Sequence, residues 1–397
     1  MKNSKYIFLC STYPPEYDDF YRSLSGCDST TSGNIHSLSI IRGFERLDKD
    51  FFVISGVGVG HYPLNTKTKK LPNIKFGDNF YSVGYNNHVL VCQNSKARAM
   101  YKCFKKYCSD KDKDLNVLLA DIHEPFAKAA LKIKRKYKNV AVVNICLDVP
   151  DTIVSSKSGL IRRFLKNISI KRNLKLLKKM DGFVLLSDAM KNRLPIYNKP
   201  YIVSPCISDL KIYNGMSKKL SNKTIIAYCG VLSKQYNIDL LIDAFSKIKD
   251  DKFELFLAGK GDGVALIEEA MKKDSRIKYL GELTREEALQ IQYSADILVN
   301  PRLPEDKYTS YSFPSKTLSY LLSGNPVVCY TFSSFPPDIK SMVFIPKDLT
   351  CESLAEEIML RAGEKSKVDF EKLKKYTPDN FIINLDSLFQ RIRNQNE

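Results

Sequence analysis

The chain has 397 residues, is 44% hydrophobic and carries a formal net charge of +18. That length supports two domains with full cores. It contains no run of ~18 consecutive apolar residues, which argues against a transmembrane helix.

The first segment, Met1 to Cys10, has too short an apolar run for a signal peptide, and Tyr6-Ile-Phe-Leu-Cys10 reads instead as a buried strand. Further strands are expected at Phe51–Ser55, Asn116–Leu119, Val140–Ile145, Gly182–Leu186 and Tyr201–Val203. Helices fall between them, near Ile35–Leu47, Ser95–Tyr107, Pro125–Tyr137 and Leu160–Met180. A Ser/Lys/Asn-rich stretch, Ser204 to Lys223, then separates this series from a second one. Its strands are expected at Thr224–Cys229, Phe253–Ala258, Ile277–Tyr279, Ile297–Val299 and Val327–Tyr330. Its helices are expected near Ile238–Ile248, Val264–Lys272, Arg285–Tyr293, Ser315–Leu322 and Cys351–Arg361, with a capping box at Thr284-Arg-Glu-Glu287. Phe381, Leu385, Leu388, Phe389 and Ile392 mark a last helix in the tail. Short apolar strands alternating with helices mean parallel sheets covered on both faces. The reading is an α/β protein of two Rossmann-like, doubly wound domains, 1–205 and 206–375. Residues 376–397 form a C-terminal helix with the option of returning to the first domain.

Ten scattered cysteines without Cys-x-x-Cys and four dispersed histidines offer neither a disulfide framework nor zinc-ligand spacing. A reduced cytoplasm and no metal site are expected. The charge is concentrated in Lys157 to Lys179, which holds nine basic residues and no acidic one. Apolar residues recur within it at helical spacing, so it reads as a basic amphipathic segment in which Arg162, Arg163, Lys166, Lys171 and Arg172 are expected to meet a membrane. Such a segment suits an anionic membrane surface, the plain alternative being the solvated face of a core helix.

Ligands of open α/β sheets sit beyond the carboxyl ends of strands, beside helix N-termini. In the second series the richest such place is the loop and helix start after Asn300. Arg302, Ser315 and Lys316 surround it, and Gly324 ends the helix, an arrangement that suits a phosphate. Gly230-Val-Leu-Ser-Lys234 follows another strand, where Lys234 is within reach of a diphosphate. Gly261, within Gly259-Lys-Gly-Asp-Gly263, has a tight turn as its commoner explanation. In the first series, Thr31-Ser-Gly-Asn-Ile-His36 opens a helix and offers Gly33 and Asn34 to an anion. Gly56-Val-Gly-Val-Gly60 runs into His61-Tyr-Pro63 and not a helix, so it is no nicotinamide-cofactor fingerprint. His123 stands at a strand end, suited to a sugar hydroxyl or phosphate. Asp148 or Asp151 suits acceptor hydroxyls, an ordinary turn being the alternative.

An ordered series carries a resemblance: Gly230-Val-Leu, Leu240-Leu-Ile-Asp-Ala-Phe245, Leu257-Ala-Gly-Lys-Gly-Asp-Gly263, Ala295-Asp-Ile-Leu-Val-Asn-Pro-Arg302, Tyr311-Ser-Phe-Pro-Ser-Lys316 and Tyr320-Leu-Leu-Ser-Gly-Asn-Pro-Val-Val328. In these residues the chain resembles the retaining glycosyltransferases of the GT-B fold, family 4. It looks closest to bacterial enzymes that build capsular and O-antigen polysaccharides. The resemblance implies transfer of a sugar from a nucleotide diphosphosugar to an acceptor hydroxyl, without an essential metal or other cofactor. The two domains would face each other across a cleft. The donor would meet Gly230, Gly261, Arg302, Tyr311, Ser312, Phe313, Pro314, Ser315, Thr317 and Ser319, with Lys316, Lys234 and His123 in catalytic roles. An acceptor on a polyprenyl diphosphate would keep the protein cytoplasmic and peripheral on the inner face of the cell membrane. Two departures stand out. Tyr311 and Ser319 replace the family's paired glutamates, and Val231 and Tyr236 stand where it has Arg and Lys. The competing readings are a sugar-nucleotide epimerase and a catalytically silent partner subunit. Specific nucleic-acid binding has no motif to support it.

Overall fold

Tyr6, Phe8 and Cys10 alternate with Ile7 and Leu9 along the first strand, and all five are buried. A strand apolar on both faces belongs in the middle of a sheet covered on both sides. The computed structural model describes residues 4–25, 31–110, 112–149, 160–219, 221–304 and 309–395, with only the backbone of 31–32 and 160–166. These divide into two units, Met1–Ile207 with Tyr376–Glu397, and Ser208–Lys375.

The strands of the first unit are β1 (Ser4–Cys10), β2 (Phe51–Ser55), β3 (Ile74–Lys75), β4 (Phe80–Ser82), β5 (Asp114–Leu119), β6 (Val140–Cys146), β7 (Gly182–Leu185) and β8 (Tyr201–Val203). They form one sheet in the order β3-β4-β2-β1-β5-β6-β7-β8, parallel except for β3 against β4. Its helices are α1 (Asp18–Ser25), α2 (Thr31–Arg46), α3 (Cys92–Tyr107), α4 (Glu124–Lys136) and α5 (Leu160–Leu177). β3 and β4 escaped the sequence reading because two or three residues cannot show a period, and α1, polar in most of its positions, was also missed.

The second unit has β9 (Thr224–Cys229), β10 (Phe253–Ala258), β11 (Ile277–Tyr279), β12 (Ile297–Asn300) and β13 (Val327–Cys329), all parallel, in the order β11-β10-β9-β12-β13. Its helices are α6 (Ile238–Lys247), α7 (Val264–Lys273), α8 (Arg285–Ser294), α9 (Ser315–Leu322), α10 (Pro337–Met342), α11 (Cys351–Leu360) and α12 (Phe370–Leu373). The capping box at the start of α8 is present, with the Thr284 hydroxyl accepting from Glu287 N–H and the Glu287 carboxylate accepting from Thr284 N–H at 2.8 Å.

The last helix, α13 (Pro378–Asn394), packs in the first unit. Its buried residues Phe381, Leu385, Leu388, Phe389 and Ile392 join Ile40, Ile41 and Phe44 of α2 over Tyr6 and Phe8. Two glycines allow the approach. A Cβ on Gly43 would lie 2.6 Å from the Pro378 carbonyl oxygen, and one on Gly182 would lie 2.6 Å from Ile392 Cδ1. Arg393 hydrogen-bonds Asn116 Oδ1 at 2.6 Å, and the Tyr6 hydroxyl meets Asp386.

Candidate functional site

In each sheet the strand order reverses beside its first strand, between β1 and β5 and between β9 and β12. The crevice at such a reversal is where open α/β sheets take ligands. At the second one, Gly230 follows β9, and Arg302 lies two residues beyond β12.

α9 stands over this crevice and is tied to it. The buried Tyr320 hydroxyl accepts from Cys229 N–H at 2.9 Å, and Thr317 Oγ1 accepts from Asn300 Nδ2 at 3.2 Å. Lys316 lies four residues before Tyr320, on the same helical face. Its Nζ sits 3.8 Å from the centre of the Tyr228 ring. A Cβ on Gly230 would fall 1.6 Å from that Nζ, so the glycine makes the seat for the ammonium. Burial, and then the nearby positive charge of Arg302, lowers the Lys316 pKa to about 7. Among the described residues no carboxylate pairs with it.

Arg302 is held between the rings of Tyr236, at 5.3 Å, and Phe332, at 5.7 Å, and its buried Nε meets no acceptor among the described residues. The loop behind it is fastened by Asn237 Oδ1, which accepts from Leu303 N–H at 3.0 Å. Phe313 packs on Phe335, and the Ser334 hydroxyl bonds the Ser312 carbonyl at 2.6 Å. Pro314 precedes α9 without a side-chain cap, leaving exposed Ser315 at a bare helix start. Two cations, each without an anionic partner among the described residues, and uncapped amide donors thus share one crevice. The arrangement is chemically suited to a diphosphate.

Other residues from the sequence reading have different surroundings. Thr317 is buried and bonds Asn300. Lys234 is exposed on a single 3-10 turn, Lys234–Tyr236. Gly261 serves close packing of loops, since a Cβ there would lie 2.0 Å from the Leu232 carbonyl oxygen. Gly259 does the same against the Gly230 carbonyl oxygen, at 1.8 Å and with φ +133. The Ser319 hydroxyl donates to Gln292 Oε1 at 2.9 Å, and the Tyr213 hydroxyl donates to the same oxygen at 2.8 Å. Tyr311 is half-buried beside Ser312. The sequence reading overlooked Tyr228, Phe332, Gln292 and Tyr213, and met Tyr236 only as standing where the family has Lys. Aromatics at those positions read as core, and nothing in spacing tells a ring under an ammonium from one in a core.

In the first unit His123 precedes α4 at the β5 end, its ring against Phe126 and its Nδ1 buried without a partner. Burial, then the charges of Lys96 and His61, lowers its pKa to about 3, so the imidazole is neutral at pH 7. Asn34 is engaged in holding the β1 loop, accepting from Tyr13 N–H at 3.1 Å and donating to the Tyr13 carbonyl at 3.2 Å. A Cβ on Gly33 would meet open space. Asp148 follows β6. The protein around it, and then Asp121, raises its pKa to about 6. Asp151 and the side chains of Arg162, Arg163 and Lys166 lie outside the described residues, whereas Lys171 and Arg172 are exposed on α5. Among the described residues no helix is long and apolar enough to cross a membrane, and no three His, Cys, Asp or Glu side chains gather as metal ligands.

Residues 223–360 match the family described as glycosyl transferases, group 1. No curated protein sequence matches the chain. Among solved structures, a sucrose-phosphate synthase from Thermosynechococcus elongatus superposes with a TM-score of 0.68 at 14% identity, covering 98% of this chain and 100% of its own. Anabaena HepE in complex with UDP gives a TM-score of 0.59 at 13% identity, over 98% and 99% of the two chains. The lipopolysaccharide outer core galactosyltransferase WaaB gives 0.59 at 11% identity, over 99% and 100%. The fold is that of the GT-B glycosyltransferases, two Rossmann-like units in one chain. The group 1 match falls on the unit that holds Lys316 and Arg302.

Proposed function

We propose that the protein is a retaining glycosyltransferase that moves a sugar from a nucleotide diphosphosugar to an acceptor hydroxyl. The observation that carries this reading is the unpaired Lys316 ammonium seated at Gly230, with Arg302 beside it, at the switch point of the second sheet. As the bond from sugar to diphosphate breaks, negative charge grows on the leaving group. Cations already fixed in place stabilise that transition state without reorganising. Lys316, Arg302 and the first amides of α9 supply that charge and those donors. Retention follows if the acceptor attacks from the leaving-group face and the leaving phosphate oxygen takes its proton. His123, being neutral, acts by hydrogen bonding to a sugar and not by changing charge. No metal or other cofactor is assigned to this chemistry.

UDP is the nucleotide to test first, because HepE and the S. aureus enzyme TarM have structures with UDP. The proposed acceptor is a glycan on a polyprenyl diphosphate, met on the inner face of the membrane in capsule or O-antigen synthesis. The basic surface around α5 supports this. Arg98, Lys128, Lys132, Arg135 and Lys179 line a cavity of ≈ 720 Å³ on one side of the helix, and Lys171, Lys175 and Lys178 line another on the other side. A second reading, a silent partner subunit, is favoured by one observation, the closure of Ser319 onto Gln292 where the family has a ribose-binding glutamate.

A thermal-shift series with UDP, GDP, dTDP and CMP and their sugars, with and without EDTA, tests the donor site. A rise with one diphosphate, together with release of that nucleotide from its sugar on incubation, supports the transferase. Binding without turnover, or no shift with any nucleotide, refutes the transferase and favours the silent subunit.

A further inference from the structure

The first unit holds a second buried lysine that its described neighbours leave unpaired. Lys96, on α3, is 6% exposed. Its stem lies over Gly56, where a Cβ would stand 2.9 Å from Lys96 Cδ and 3.0 Å from Cγ. Its Nζ sits 4.6 Å from the centre of the Tyr85 ring, and the Tyr85 hydroxyl is itself used on the Val57 carbonyl at 2.7 Å. Lys316 has the same three parts in the second unit: a glycine just past a strand, a tyrosine ring, and an ammonium over it.

Carboxylates in this part of the unit are engaged elsewhere. Glu124 pairs with Lys128 at 2.6 Å, and Asp121 accepts from Ile122 N–H at 2.7 Å. Among the described residues none pairs with Lys96. A buried ammonium without a counter-ion is costly, and a tyrosine face offsets only part of that cost. Accordingly its pKa is lowered to about 8, chiefly by burial. Close by is a second unsatisfied group, His123 Nδ1, buried and without a partner. Lys96 and His61 both lie near enough to depress the His123 pKa, and His61 Nδ1 is 3.7 Å from Cys92 Sγ at the start of α3. Gly56 and His123 follow β2 and β5, the two strands that flank β1, so these groups gather at the switch point of this sheet. Ser11 and Gly58 at the same edge are exposed, and Gly58 N–H donates to Ser11 Oγ at 2.9 Å.

We propose that the first unit carries an oxyanion site built on Lys96, with His123 as its hydrogen-bonding partner, which takes an anionic group borne by a sugar. The buried Lys96 ammonium gives the site one fixed positive charge, which matches one carboxylate or a phosphate monoester. The site extends the proposed transferase to a charged saccharide, and rests on that reading only for what carries the anion.

The test uses the full chain labelled with 15N at histidine. The His123 imidazole signal is followed at pH 7 during titration with glucuronate, inorganic phosphate and glucose. A saturable shift with one or both anions and none with glucose is expected. The anion that saturates first tells carboxylate from phosphate. Lys96→Met should weaken that binding by about tenfold or more while leaving UDP binding unchanged, and Lys316→Met should do the reverse. The proposal is overturned if neither anion gives a saturable shift in the native protein up to about 50 mM. It is also overturned if Lys96→Met melts higher and keeps the anion affinity, which would make Lys96 a packing residue. Loss of UDP binding alone would sink the transferase reading and leave this site standing.

Discussion

Replacing Lys316 by Met keeps the length of the side chain and removes its charge. The ammonium lies 3.8 Å from the Tyr228 ring centre, and burial brings its pKa from 10.5 to about 7. In the unfolded chain the lysine keeps its ordinary pKa. Between pH 10.5 and about 7 the unfolded state therefore binds more protons, so stability falls as pH falls through that window. The Met variant lacks that slope and should melt higher than the native protein at pH 7. Donor binding should move the opposite way. Losing one partner of a desolvated charge pair costs about 3 kcal/mol, a factor of roughly 150 in UDP affinity. Proton uptake gives a second readout. At pH 8 a group of pKa about 7 is only about one-tenth protonated, so a diphosphate that needs the ammonium draws in about 0.9 proton. Calorimetry with UDP at pH 8, in two buffers of different ionisation enthalpy, measures both affinity and uptake. A Met variant that binds UDP within about twofold of the native protein, with the same uptake, would refute the assignment.

Gly230→Ala places a methyl group 1.6 Å from the present position of Lys316 Nζ at a backbone φ of +158, so it should reproduce the loss of UDP affinity and also lower the melting temperature. Gly259→Ala puts its methyl 1.8 Å from a backbone oxygen that cannot move aside, so chemical denaturation should show a loss of about 3 kcal/mol or more. Phe389→Ala empties a site in the core shared by α13, α2 and β1, and urea unfolding should show a cost of about 3–5 kcal/mol. Lys171→Gln with Arg172→Gln removes two exposed positive charges from α5. It should weaken binding to vesicles containing anionic lipid by about 2 kcal/mol, roughly thirtyfold, at physiological salt, and unchanged sedimentation with those vesicles would count against the membrane role.

Much of the architecture was readable in the chain, because its signals are local. β1, β2, β5, β6 and β9 to β12 are short apolar runs bounded by turn residues. The Thr284 capping box and the αL glycine that ends α9, Gly324 at φ +77, are rules of three or four residues. β3 and β4 have no such signal, since two or three residues cannot display a period.

The crevice was half legible. Arg302, Ser315 and Lys316 stood out because cations next to a helix start are visible in one dimension. Their seats were not visible: Tyr228 is 88 residues before Lys316, and Tyr236 is 66 before Arg302. Lys96 was passed over entirely, as one more lysine in a basic chain. By itself the sequence determined the alternation of strand and helix, and with it two parallel sheets and the strand ends where ligands gather. Only the tertiary structure decided which lysines lose their water. That depends on which rings and glycines the folding brings beneath an ammonium, and those come from segments far apart in the chain.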